Sequence, residues 1–65
     1  MKVNTDKIDR KRVELGIKKA ALAEMVGMSR QNLHNICMEG NTTMETLGKI
    51  AEALGIDDPR DLIIL

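Results

Sequence analysis

At 65 residues the chain is one domain at most, spanning residues 1–65, and a domain of this size buries only about 60% of the surface its unfolded form exposes, so no deep substrate cavity fits beside the core. Hydrophobic residues make up 43% and aromatic residues none, which excludes wholesale disorder and leaves a core of Leu, Ile, Val, Met and Ala, suited to packed helices rather than strands. Net charge is zero, yet residues 1–35 hold eight basic against four acidic side chains and residues 36–65 two against six, so only the first half suits a polyanion.

The single cysteine, Cys37, excludes an intrachain disulfide, which a chain this small in an oxidising compartment would usually carry. No secretory leader is recognisable and no apolar run approaches a membrane span, so the expectation is a cytoplasmic protein with no membrane contact.

The first helix is predicted over Thr5 to Leu15, with Asn4 or Thr5 as its cap, Asp6 in its first turn, and Ile8 and Val13 or Leu15 facing inward; Gly16 stops it. Lys19 to Val26 forms a second, short helix of strong helix formers, ended by Gly27. Ser29 caps a third helix from Arg30 to about Met38, with Leu33 and Ile36 toward the core. Thr42 opens a capping box closed by Glu45, and the fourth helix runs from about Thr43 to Leu54 with Met44, Leu47, Ile50, Ala51 and Leu54 on one stripe. Gly48 lies inside it, and Gly55 ends it. Asp58-Pro59 starts a short fifth helix. The only candidate strand is Leu62 to Leu65.

Helices two and three are joined by Val26-Gly27-Met28-Ser29, which makes a helix-turn-helix pattern. The crossing needs a small residue, Ala23, and the tight turn favours a glycine, Gly27, four residues on. Leu22, Val26, Met28, Leu33 and Ile36 stand where the pair must be locked to the core.

On the stretches "ELGI" (14–17), "LAEMVGMSRQNLHNI" (22–36) and "GNTTMETLGKIAEALGI" (40–56), the chain resembles the phage repressor and Cro family, the Xre-type helix-turn-helix regulators. The resemblance implies an all-α, compact five-helix domain of lambda-repressor-like type that binds operator DNA, commonly as a dimer. It implies that the second helix crosses the DNA backbone and the third lies in the major groove, N-terminal part nearest the bases. Arg30, Gln31 and Asn35 are the expected base readers, with His34 beside them at the groove edge. Arg matches guanine and Gln or Asn matches adenine. The expected phosphate ligands are Lys18 and Lys19 at the start of helix two, Ser29 and Asn32 on helix three, Asn41 and Thr42 in the following loop, and Arg12 in helix one.

Three departures stand out. Lys19 replaces a common Gln. Cys37 stands where many members carry a glutamate that pairs with the helix-one arginine, so Arg12 either takes Glu39 as partner or reaches a phosphate. "CMEGNTT" replaces a loop that often contains Glu-Asn-Gly and a proline.

His34 and Cys37 are i, i+3 on one helix, but two ligands make no zinc site, so neither a metal nor a cofactor is expected. No catalytic constellation is present, and an enzyme is not expected. Leu62 is expected to pack inside as helix five docks, but Ile63, Ile64 and Leu65 cannot all be buried in so small a monomer, which points to a two-fold homodimer contact through helix five and this tail. The alternative is an antitoxin-like or adaptor module on the same fold, using the acidic half and apolar tail to bind protein.

Overall fold

The computed structural model describes residues 2–64. In chain order it contains a strand β1 (Lys2–Val3), helices α1 (Thr5–Glu14), α2 (Lys19–Val26), α3 (Arg30–Glu39) and α4 (Met44–Ala53), a 3-10 turn (Pro59–Leu62) and a strand β2 (Ile63–Ile64). The fold is mostly helical, with four α-helices where five were expected. Pro59–Leu62 is a single 3-10 turn because Leu62 must enter the core, fully buried, while the chain is already extended at Ile63. That leaves room for one turn. Asp58 caps it by accepting from the Arg60 N–H at 3.0 Å.

The candidate strand of the tail forms over Ile63–Ile64, and the second departure is its partner β1, with Lys2 pairing Ile64 and Val3 pairing Ile63 in a small antiparallel ribbon. Val3 is buried, and its N–H donates across the other edge to the Gly40 carbonyl at 2.8 Å. The Asn4 N–H donates to the Leu62 carbonyl at 2.7 Å. Residues 2–4 and 62–64 are thereby tied together and, through Val3, to the end of α3. Ile63 packs against the core, so of the tail only Ile64 is exposed; Leu65 lies outside the described residues.

Each helix begins where a side chain can accept a free N–H. Asn4 accepts from the Lys7 N–H at 3.1 Å, Ser29 from Asn32 at 3.1 Å and Thr43 from Thr46 at 3.2 Å. The predicted Thr42–Glu45 box is therefore displaced by one residue. Thr42 and Thr43 are both chemically able to cap; Thr43 is the one whose hydroxyl meets an N–H three residues on, and it also donates to the Thr46 hydroxyl at 3.0 Å. Glu45 instead lies on the surface, 4.0 Å from Lys49. The exception is α2, whose cap position, Lys18, makes no side-chain bond to the helix.

Among the described residues the buried core is wholly aliphatic. It comprises Val3, Ile8, Leu22, Ala23, Val26, Leu33, Leu47, Ile50, Ala51, Leu54 and Leu62. α2 packs against both α3 and α4, and α4 and α1 close on the 3-10 turn. Several expected inward residues stay out. Val13 is 65% and Leu15 47% exposed, because α1 is held at its end by Arg12 rather than by a second apolar turn. Met44 is 45% exposed at the first position of α4. Ile36 is half-buried at the rim of a groove, and Cys37 takes its place against the core, one helical turn from Leu33.

Gly27 ends α2 at φ 77°, with the Met28 N–H donating to the Ala23 carbonyl at 2.9 Å and the Gly27 N–H to Glu24 at 3.1 Å. Gly48, by contrast, sits within α4 without positive φ, and a methyl group added there meets nothing within 4 Å. Gly27→Ala should therefore destabilise the fold by about 1–2 kcal/mol, while Gly48→Ala should stabilise it by about 0.5–1 kcal/mol. Urea unfolding of both variants reads the two signs; the same sign for both would contradict this account of the backbone.

Candidate nucleic-acid interface

The surface of interest follows from how little of α3 faces inward. Leu33 is its one buried residue, and Cys37 and Met28 pack beside it. Helical geometry places Gln31 and Asn35 about opposite Leu33, with Arg30 and His34 on one flank and Asn32 and Glu39 on the other. Arg30, Gln31, Asn32, His34 and Asn35 are all exposed. Gln31 Nε2 donates to Asn35 Oδ1 at 3.0 Å, so the two amides at the crest of the helix form one unit.

An open groove of about 450 Å³ runs beside this crest. Its walls are Val26, Gly27 and Met28 from the turn, Asn32, Asn35, Ile36 and Glu39 from α3, and Thr46 and Lys49 from α4. The groove thus brings Asn35, one of the expected readers, and Asn32 together with Thr46 and Lys49, two residues that sequence reasoning missed. Lys49 lies within the acidic half of the chain and at i, i+4 from Glu45. The 4.0 Å separation and the exposure of both partners leave its ammonium free to engage other anions.

At the start of α2, Lys18 is exposed and Lys19 partly so. With no side chain capping this helix, its first N–H groups and the two ammonium groups present a combined positive end. Lys19 also lies near enough to α3 to act electrostatically on Cys37. The Ser29 hydroxyl is engaged as the α3 cap, although the residue is exposed. Asn41 is exposed and Thr42 half-buried in the loop between α3 and α4.

Arg12 is differently placed from the other basic candidates. Its side chain is only 16% exposed. Nη1 donates to the Ile17 carbonyl at 2.8 Å, and Nε lies 3.4 Å from Asp9 Oδ1. Its carboxylate partner is therefore Asp9, on its own helix, and not Glu39. Cys37 stands nearby, its thiol pKa pushed up first by burial and then by Asp9, against the opposing pull of Lys19 and Arg12. The group is a neutral thiol at physiological pH.

Among the described residues no three His, Cys, Asp or Glu side chains are placed to hold a metal ion, and no helix is long and apolar enough to cross a membrane. No curated protein and no solved structure is significantly similar to the chain. A family model for the helix-turn-helix, of Cro/C1 and Xre-like type, does match, over residues 8–59. That span runs from Ile8 in α1, through the Gly27 turn and α3, to the first residue of the 3-10 turn. With most of its length matched and its polar third helix held out beside the turn, the chain belongs to the Cro/C1-type helix-turn-helix family of DNA-binding regulators.

Proposed function

We propose that this protein is a sequence-specific transcriptional regulator of repressor/Cro type, which reads the major groove of operator DNA with the N-terminal half of α3. The observation that carries the reading is the outward face of α3, where Arg30, Gln31, His34 and Asn35 are exposed on a helix fixed from behind by Leu33. Arg30 suits guanine O6 and N7, and the amides suit base edges. Lys18, Lys19 and the open first turn of α2 suit one phosphate cluster, and Ser29, Asn32, Asn41 and Thr42 suit phosphates on either side of the groove. Arg12 stands apart in this reading: its guanidinium is committed to Ile17 and Asp9, so it shapes the α1–α2 connection. A protein of this kind represses most simply by occupying its site.

Two copies related by a two-fold axis would set their α3 helices about 34 Å apart on a near-palindromic operator. The contact we assign to that dimer is the 3-10 turn with the tail that follows it. β2 pairs with β1 on one edge only, and Ile64 is the apolar side chain left at the surface there. Sedimentation at micromolar concentration should give a dimer mass for the wild type and a monomer mass for Ile64→Glu. Monomer masses for both would remove the dimer contact from this account.

Titration against mixed-sequence DNA at two salt concentrations tests DNA binding itself. About four to six phosphate contacts per subunit should make affinity fall steeply with salt. No binding at low salt would instead favour a protein-binding module. Arg30→Ala and Gln31→Ala should relax preference at particular base pairs, each by about 1–3 kcal/mol of discrimination, whereas Lys19→Ala should weaken all sequences alike and reduce the salt slope by about one. Arg12→Ala should lower stability by about 1–3 kcal/mol through its orphaned carbonyl and lost packing, with the salt slope unchanged. Equal losses on specific and random DNA from Arg30→Ala, Gln31→Ala and Lys19→Ala would contradict the division into readers and anchors.

A further inference from the structure

The two amides at the crest of α3 are bonded to each other before any ligand arrives. Gln31 Nε2 donates to Asn35 Oδ1 at 3.0 Å, across one turn of exposed helix. Such a bond lends an exposed helix only slight support, and α3 already has the Ser29 cap and the buried Leu33. Its larger consequence is for what each amide still has to offer.

We infer that Gln31 and Asn35 act as one reading unit, selecting an adenine next to a base pair that presents acceptors. This rests on the reading of α3 as the major-groove helix. An amide recognises adenine when its carbonyl oxygen accepts from N6 and an N–H on the same edge donates to N7. The Gln31 amide nitrogen has two hydrogens. Giving Asn35 the one directed away from its own carbonyl leaves Oε1 and the neighbouring N–H together, an edge complementary to adenine. Asn35 differs. Its Oδ1 already accepts from Gln31 through one of its two lone pairs, while both of its N–H donors are unengaged by that bond, so donors are what it chiefly turns outward. Outward donors match guanine O6 and N7, or the O4 of thymine, better than the N6 amino group of adenine.

Spacing supports the same assignment. Residues four apart climb about 6 Å along a helix, nearly two base-pair steps of about 3.4 Å. The 3.0 Å bond draws the polar tips together, to roughly a single step. The pair is thereby matched to two adjacent base pairs. Asn35 holds the Gln31 amide in the adenine-reading orientation, so it is both a reader and a positioning residue.

A preferred duplex is first selected from random DNA with the wild-type protein. Affinity is then measured for that duplex and its single-pair variants at the two adjacent positions. The variants are Gln31→Ala, Asn35→Ala, the double variant and Asn35→Asp. Each alanine variant should flatten discrimination at both positions by about tenfold. The double variant should be no more than about threefold worse than either, because the two residues share one interaction. Asn35→Asp keeps the acceptor for Gln31 and lacks the outward donors. It should retain preference at the adenine position, lose it at the neighbouring one, and weaken all duplexes alike through its charge. A merely helix-supporting bond would not separate the two positions in this way.

If each alanine variant flattens one position and the double variant is their product, the paired unit is overturned while the major-groove reading stands. Loss of preference at both positions in Asn35→Asp would also overturn it. If the wild-type protein selects no duplex at all, the major-groove reading falls and the paired unit with it.

Discussion

Everything that α3 presents depends on the closing of α2 at Gly27. The left-handed turn there, with Met28 bonded back to the Ala23 carbonyl, reverses the chain within a few residues and sets α3 against α2 across the small buried side chain of Ala23. A larger residue at that crossing would separate the helices, and a residue with a Cβ at Gly27 would strain the turn. With the crossing fixed, α3 needs only Leu33, with Cys37 and Met28 beside it, to be held in place. The remainder of its circumference is free to carry polar groups. Fixing a helix through so few residues is what lets a 65-residue chain combine a single core with an exposed polar helix face.

The small core is supplemented at its ends. Below about 70–80 residues one hydrophobic core is seldom enough, and this chain has no disulfide to add. Side-chain caps close the starts of α1, α3 and α4, each typically contributing about 1 kcal/mol. The ribbon of β1 and β2 binds the first described residues to the last, and through the Gly40 carbonyl it also fixes the end of α3. The far end of α3 is thus held by the β1–β2 ribbon and its near end by the turn. α2 alone begins without a side-chain cap. An uncapped helix start is a small loss for stability, but it leaves all the first-turn main-chain donors of α2 available to a phosphate.

Much of this arrangement was legible in the residues. The bounds of α2 and the start of α3 follow from glycine and serine chemistry that is local, so a single sequence carries it. The inward set of α4 follows from its period, with Leu47, Ile50, Ala51 and Leu54 all buried. What was not legible depended on distant partners. β1 is two residues long and exists only because β2 and Gly40 lie on either side of it. The 3-10 turn is short because Leu62 and Ile63 have obligations to the core and to β1 that their neighbours do not reveal. Val13 and Leu15 are apolar and correctly spaced, yet the end of α1 is fastened by a guanidinium to a carbonyl. Between Thr42 and Thr43 the sequence offers two equal caps, and only the geometry chooses. On the outward face of α3, side-chain types were legible, but the Gln31–Asn35 bond and the place of Lys49 on the groove wall were not.

The exchange of a familiar glutamate for Cys37 draws several of these details together. A carboxylate at this half-buried position would be desolvated, and a buried ion pair with Arg12 would recover little net stability. It would also stand close to Lys19, which already acts electrostatically on the Cys37 thiol. A carboxylate there would offset part of the positive charge of Lys19. With a neutral thiol in its place, Arg12 satisfies itself nearby, through the Ile17 carbonyl and the more exposed Asp9. The charge of Lys19 then has no carboxylate within α3 to face at that point, and it adds to the open N–H groups of α2. Replacing Gln by Lys at 19 and Glu by Cys at 37 therefore act in the same direction. Together they make the start of α2 more positive, at the place where the proposed complex sets the DNA backbone.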